Sequence, residues 1–123
     1  MRLLPILFLA AACAAGPPPG EDEAALSSEL AGRAAGSPQD CVSASPGSGL
    51  APRDARTLVL RRGDVLWVNR LAAACPGLDP ATTLIVESHD GRYCRGDRIS
   101  ALDPGHLLPG PPCLLGPFTP YRR

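Results

Sequence analysis

The residues with the most chemistry to offer are cysteines. Cys41, Cys75, Cys94 and Cys113 are spread at wide intervals over the later part of the chain, and a fifth, Cys13, closes an apolar leader. None lies in a C-x-x-C pair, so neither a dithiol redox motif nor a zinc knuckle is written here. Isolated, widely spaced cysteines in a short exported chain read as a disulfide framework, which belongs to an oxidising compartment and supplies staples, with no nucleophile and no ligand pocket. Four cysteines allow three connectivities. The nested one, Cys75 with Cys94 and Cys41 with Cys113, is the one expected, because it would tie the two ends of a domain together and fix one internal loop onto a hairpin.

The other reactive types do not assemble. His89 falls in a turn and His106 in a Pro-Gly loop, and neither has a cysteine or second histidine at a ligand spacing, so no metal site is expected. Ser48, between Gly47 and Gly49, lacks the strand-turn-helix context of a nucleophile elbow. Asp97 and Asp103 stand six residues apart and read as an exposed partner for Arg95 or Arg98 and as a turn residue before Pro104. No catalytic residue, no cofactor-binding residue and no cofactor is expected, and the chain is read as a non-enzyme. Arg-Gly-Asp occurs at Arg62–Asp64 and again at Arg95–Asp97. The tripeptide resembles an integrin-binding motif, but each copy also suits a structural role, the first as a hairpin turn and the second as a glycine bend in a strand. Trp67, the single indole, sits mid-strand between apolar neighbours and reads as core or barrel lining in preference to a ligand-stacking residue.

The elements that would position these residues are short strands. Thr57–Arg61 and Val65–Leu71 are β-branched and apolar runs around Arg62-Gly63-Asp64, a hairpin with glycine in its turn. Thr82–Ser88 runs into His89-Asp90-Gly91-Arg92, where Asp-Gly is a strong turn dipeptide, and Tyr93–Leu102 returns. A last strand covers Leu114–Phe118. With 15 Pro and 13 Gly the chain is punctuated too often for long elements. The expected fold is mainly β: a small disulfide-stapled antiparallel barrel or twisted sheet, SH3-like or OB-like, following a signal peptide and a flexible linker.

The leader has the build of a secretory signal: Met1-Arg2 gives a short positive start, Leu3–Leu9 an apolar run, and Ala10–Gly16 a small-residue cleavage region. Cys13 is a lipidation candidate, in a segment that resembles a bacterial lipobox with Leu9 four residues before the cysteine instead of three. Ordinary cleavage at Ala12-Cys13-Ala14 is the alternative. Residues 1–13 are therefore read as signal peptide, 14–40 as a Pro/Gly/Ala-rich acidic linker, and 41–123 as the β domain. Within the linker one or two turns of helix between Glu21 and Arg33 can form around Leu26 and Leu30, the only large apolar pair at helical spacing, but so short a helix is marginal without tertiary contacts.

Twelve basic residues, all arginine, balance twelve acidic ones, so net charge makes no case for nucleic acid or anionic lipid. Cys75-Pro76-Gly77-Leu78, Cys94-Arg95-Gly96-Asp97-Arg98 and Pro109-Gly110-Pro111-Pro112-Cys113, with the four cysteines, resemble a family of short secreted proteins of unknown function from Gram-negative bacteria. That resemblance implies a β-rich domain located outside the cytoplasm, in the periplasm, on the outer membrane through a lipid, or secreted. It brings no activity. Two classes of function fit: a non-catalytic cell-envelope module that binds an envelope protein, peptide or glycan, touching membrane only through an N-terminal lipid; or a small secreted or periplasmic inhibitor or stress protein acting on a soluble partner. The second would use Asp103–Pro112 as its exposed loop.

Overall fold

The computed structural model describes residues 21–44, 49–102, 105 and 108–123. Its elements in chain order are helix α1 (Glu21–Leu30) and strands β1 (Ala34–Ala35), β2 (Cys41–Ser43), β3 (Ala51–Asp54), β4 (Thr57–Arg62), β5 (Val65–Arg70), β6 (Thr83–Val86), β7 (Arg92–Cys94), β8 (Arg98–Leu102), β9 (Cys113–Leu114) and β10 (Phe118–Arg122). They form a five-stranded sheet in the order β1-β10-β5-β4-β3, a two-stranded β2-β7 ladder and a three-stranded β6-β8-β9 sheet, antiparallel throughout. The fold is a disulfide-stapled set of twisted sheets and does not close into a barrel.

The β4–β5 hairpin forms where the sequence places it. Arg62 pairs with Val65 across a two-residue turn, and Gly63 takes φ 57°, a left-handed conformation that glycine adopts without steric cost. Alternation along these strands then gives the sheet two apolar faces. One carries Leu58, Leu60 and Phe118 into the main core with Val42, Leu71, Leu78, Ile99 and Leu115, under the smaller sheets. The opposite face carries Val59, Leu66 and Val68, and α1 covers it with Leu26 and Leu30.

That second layer corrects the linker reading. Residues 21–40 are part of the folded unit: Leu26 is 2% exposed, β1 pairs with β10, and Gln39 bridges to Phe118. A ten-residue helix with two leucines is too weak to stand alone, but Val59, Leu66 and Val68 offer it an apolar face that sequence periodicity could not reveal. Glu29 adds a bidentate bond to Arg53 on β3, at 2.8 and 2.9 Å. After Leu30 the helix stops at Gly32, whose φ of 76° is the left-handed end conformation that glycine favours.

The expected second hairpin exists in altered form. β6 does pair with β8, Val86 opposite Ile99, but the return from the Asp90-Gly91 turn first makes β7, which leaves to pair with β2. The second Arg-Gly-Asp is the corner between β7 and β8: Gly96 has φ 87°, the Asp97 N–H donates to the Cys94 carbonyl at 3.0 Å, and the Cys94 N–H donates to Asp97 Oδ2 at 2.8 Å.

This corner also explains why the nested disulfide pairing is wrong. The bonds are Cys41–Cys94 and Cys75–Cys113, a crossed arrangement. Turning at Gly96 puts Cys94 directly opposite Cys41 in the β2–β7 register, with Cα atoms 4.0 Å apart. Cys75, 1% exposed in the main core, is left to meet Cys113 on β9, with Cα atoms 5.9 Å apart. The loops span 53 and 38 residues, for which the chain-entropy account gives about 4 kcal/mol each.

The last strand is displaced as well. β10 begins at Phe118, where the predicted strand was to end, and Pro120 sits in it opposite Trp67. Leu114 and Leu115 belong to a separate approach, with Leu115 buried and Gly116 turning the chain across β5. A Cβ at Gly116 would fall inside the contact radius of the Arg70 carbonyl oxygen, so only glycine fits. Asn69, fully buried, receives this crossing: its Nδ2 donates to the Gly116 carbonyl at 2.7 Å and its Oδ1 accepts from the Gly116 N–H at 2.9 Å.

Candidate functional site

The alternation of β4, β5 and β10 decides which polar groups share the main-core face where it opens to solvent. Leu60 and Pro120 flank Trp67 in one row across the sheet. In the next row Arg62 pairs with Val65 on β5, and Arg122 follows Tyr121, the partner of Leu66, so the two arginines stand on the strands either side of β5. Adjacent strands lie about 4.8 Å apart, which puts the two arginine Cα atoms about 10 Å from each other.

Trp67 is half-buried: it packs on the main core and presents the remainder to a cleft of about 330 Å³ lined with Gln39, Cys41, Val42, Ser43 and Arg62. The Arg122 guanidinium lies over the indole, 5.9 Å from the ring centroid, where the negative face of the π system attracts a cation. Arg62 reaches across the cleft to donate from Nη1 to the Ser43 carbonyl. Neither arginine is in an ion pair among the described residues. The core reading of Trp67 therefore holds for part of the side chain only. Missing from the sequence argument was the pair of arginines, since β10 was placed too early for Arg122 to share a sheet face with Trp67.

The remaining sequence-predicted residues are not brought together. His89 is 77% exposed and its Nδ1 lies 3.6 Å from Asp97 Oδ1. Among the described residues no group of three or more His, Cys, Asp and Glu gathers at metal-binding distance. Asp97 corrects another expectation: its side chain is 11% exposed and caps the Cys94 N–H, instead of serving as a free surface partner for Arg95 or Arg98. Both Arg-Gly-Asp segments are turns. Cys13, Ser48, Asp103 and His106 lie outside the described residues, as does much of the expected 103–112 loop, in which Leu108 is 81% exposed. No helix among the described residues is long and apolar enough to cross a membrane.

One titrating group is displaced by its surroundings. The Glu29 carboxyl is held below its ordinary value, first by the hydrogen bonds from Arg53, against a smaller opposing push from burial, with further attraction from the Arg53, Arg61 and Arg33 charges. Arg53 is raised correspondingly by Glu29. This pair ties α1 to β3 on the face opposite the cleft and is structural.

Residues 1–117 match the model of a protein family of unknown function. The chain belongs to DUF6491. No curated protein and no solved structure matches it. The DUF6491 match takes in all five cysteines and, among the described residues, α1 and β1 to β9, and stops just before β10. In this DUF6491 chain Trp67, Arg62 and the Cys41–Cys94 bond lie inside the matched region, while Arg122 lies beyond it.

Proposed function

We propose that this protein is an extracytoplasmic, non-catalytic binding module of a bacterial cell envelope, held at the membrane by a lipid on Cys13. The crossed pair of disulfides carries this reading, because all four cysteines after the leader are consumed in staples and such bonds persist only where thiols are not kept reduced. A positive, then apolar, then small-residue leader ending at Cys13 supports export. The Trp67 cleft supports binding over catalysis: it offers part of an indole, the Arg62 guanidinium and an amide, with no nucleophile paired to a base among the described residues.

Mass spectrometry of the mature protein from its native host tests the proposal. A start at Cys13 carrying lipid is the expected result. A start at Ala15 or Gly16 without lipid would leave a free periplasmic or secreted protein and remove the anchor. An intact Met1 in the mature protein would overturn the export reading altogether. The second reading, an inhibitor of a soluble protein, draws on Leu108, whose exposed apolar side chain stands at the Pro-rich loop. It is separated from the first by co-purification from envelope extract, in which an envelope-bound module is retained and a soluble inhibitor is not.

A further inference from the structure

The three-stranded β6-β8-β9 sheet ends at β6, and no strand among the described residues pairs with that edge. The Glu87 N–H donates to the Arg98 carbonyl at 2.9 Å, which fixes the phase of the β6–β8 ladder. Antiparallel bonding alternates, so Ile85 and Thr83 also turn their backbone groups toward β8, and the N–H and C=O of Leu84 and Val86 point out of the sheet. The side chains of Leu84 and Val86 face the main core opposite Ala101 and Ile99. Those two partners, with Gly110 and Cys113 on their far side, are buried, whereas Leu84 and Val86 stay part-exposed beside the open edge. The other edges are short or protected. β1 and β9 have two residues, β2 and β7 three, and β3 carries Pro52, a register shift beside it, and the charges of Arg53 and Asp54. β6 has none of these devices: Thr82 to Val86 is uncharged, β-branched at four of its five positions, and shows Ile85, 38% exposed, on the outer face.

We infer that this edge pairs, antiparallel, with the β6 edge of a second copy of the chain about a two-fold axis at Ile85. In that register the free groups of Leu84 meet those of Val86 in the second copy, and the reverse, so four backbone hydrogen bonds close and no outward group of the strand is left over. Ile85 then lies opposite Ile85 of the second copy in a close, non-hydrogen-bonded pair, with Cα atoms about 4.5 Å apart, and the two exposed side chains cover each other. Leu84 and Val86 meet on the core face, and two three-stranded sheets become one of six strands. A two-fold at Leu84 would instead call on Thr82, whose N–H is already given to the Asp79 carbonyl. Like charges do not meet, because Glu87, which follows the strand, falls opposite Thr83 of the second copy. The strand carries its own complement, so no second sequence has to be supposed. So short a strand buries less than the standard interface of about 1,600 Å², and the dimer is correspondingly weak. Such a dimer forms or fails independently of the binding and export readings.

Sedimentation velocity and amide hydrogen exchange on the purified oxidised protein test the pairing. Between about 10 μM and about 1 mM, the affinity range of a small interface, the parent should pass from monomer to dimer. Over the same rise the Leu84 and Val86 amides should slow in exchange at least tenfold, while the Ile85 amide, already facing Ser100, stays unchanged. Ile85→Lys sets two like charges face to face and should weaken the dimer at least tenfold. Thr83→Lys sets each new charge opposite Glu87 and should leave the dimer as tight as the parent's or tighter. Both positions are exposed on the outer face, so the variants keep the fold, which a thermal melt checks. A parent that stays monomeric throughout would overturn the dimer, even if β6 captured a strand from another protein. A dimer that leaves the Leu84 and Val86 amides fast, or that Ile85→Lys does not weaken, would overturn its assignment to β6. Equal weakening by the two lysines would overturn the two-fold at Ile85.

Discussion

Replacing Asn69 by alanine tests whether the buried amide holds the Gly116 crossing. Asn69 is fully buried, and its two bonds, at 2.7 and 2.9 Å, engage both backbone groups of Gly116. Alanine leaves the Gly116 carbonyl and N–H without their partner; a fully buried unsatisfied group costs about 1–3 kcal/mol, and the part-buried setting of Gly116 puts these two toward the low end. The lost side-chain volume adds a cavity cost, because the Arg70 carbonyl already crowds the Gly116 position and limits collapse. The total is about 2–4 kcal/mol, against about 5–15 kcal/mol for a whole small domain. Urea denaturation with disulfides intact measures it. With a slope of about 1.5 kcal/mol per molar, the midpoint should fall by at least about 1 M. Gly116→Ala should cost a similar amount by forcing the crossing away from Arg70, and the double variant should be markedly less than additive, since the first change already releases the crossing. A midpoint shift below about 0.5 M for Asn69→Ala would mean that water or backbone movement satisfies Gly116, and the argument for a rigid crossing would fail.

Three further outcomes follow from the same structure. Leu26→Ala should destabilise by about 2–4 kcal/mol in a thermal or urea melt, because Leu26 fills the α1 face of the sheet; a change within 0.5 kcal/mol, the range of about ±0.5 typical of surface sites, would restore the linker reading. Glu29→Gln should cost under about 1 kcal/mol near neutral pH, as both partners of its arginine pair are partly exposed. The folded-state Glu29 value is depressed, so its contribution is present above the unfolded carboxyl value and lost as pH falls through the folded one; the gap between parent and variant should close in acid, and a gap that widened there would contradict the sign. Asp97→Ala should lower stability by about 1 kcal/mol through loss of the Cys94 cap, which a melt distinguishes from the near-zero change of a free surface aspartate.

What could be read from the chain in advance was local. Gly63 between two β-branched runs and the Asp90-Gly91 pair announce their turns because both φ signs and the flanking pattern are encoded within a few residues. α1 was visible only as Leu26 and Leu30, since the surface that stabilises it lies on β4 and β5, about 30 residues away. β1, β2 and β3 were missed because two to four residues are too few for alternation to show, and Ala34-Ala35 and Ala51-Pro52 lack strand-forming side chains. The disulfide pairing failed for a related reason. It depends on a corner at Gly96 that sends β7 to β2 and β8 to β6, a long-range choice that no spacing of cysteines expresses. The surroundings of Trp67 were half legible: the indole was evident, but Arg62 in the cleft and Arg122 over the ring come from strands whose register had to be known first.

The most direct test of the account is a disulfide map of the protein recovered from the envelope fraction of its native host, alkylated before digestion. The account predicts no free thiol at Cys41, Cys75, Cys94 or Cys113, and two linked peptide pairs, Cys41 with Cys94 and Cys75 with Cys113. Cys75 linked to Cys94 would contradict the crossed fold, and four alkylated cysteines would contradict the oxidising compartment on which the proposed function stands.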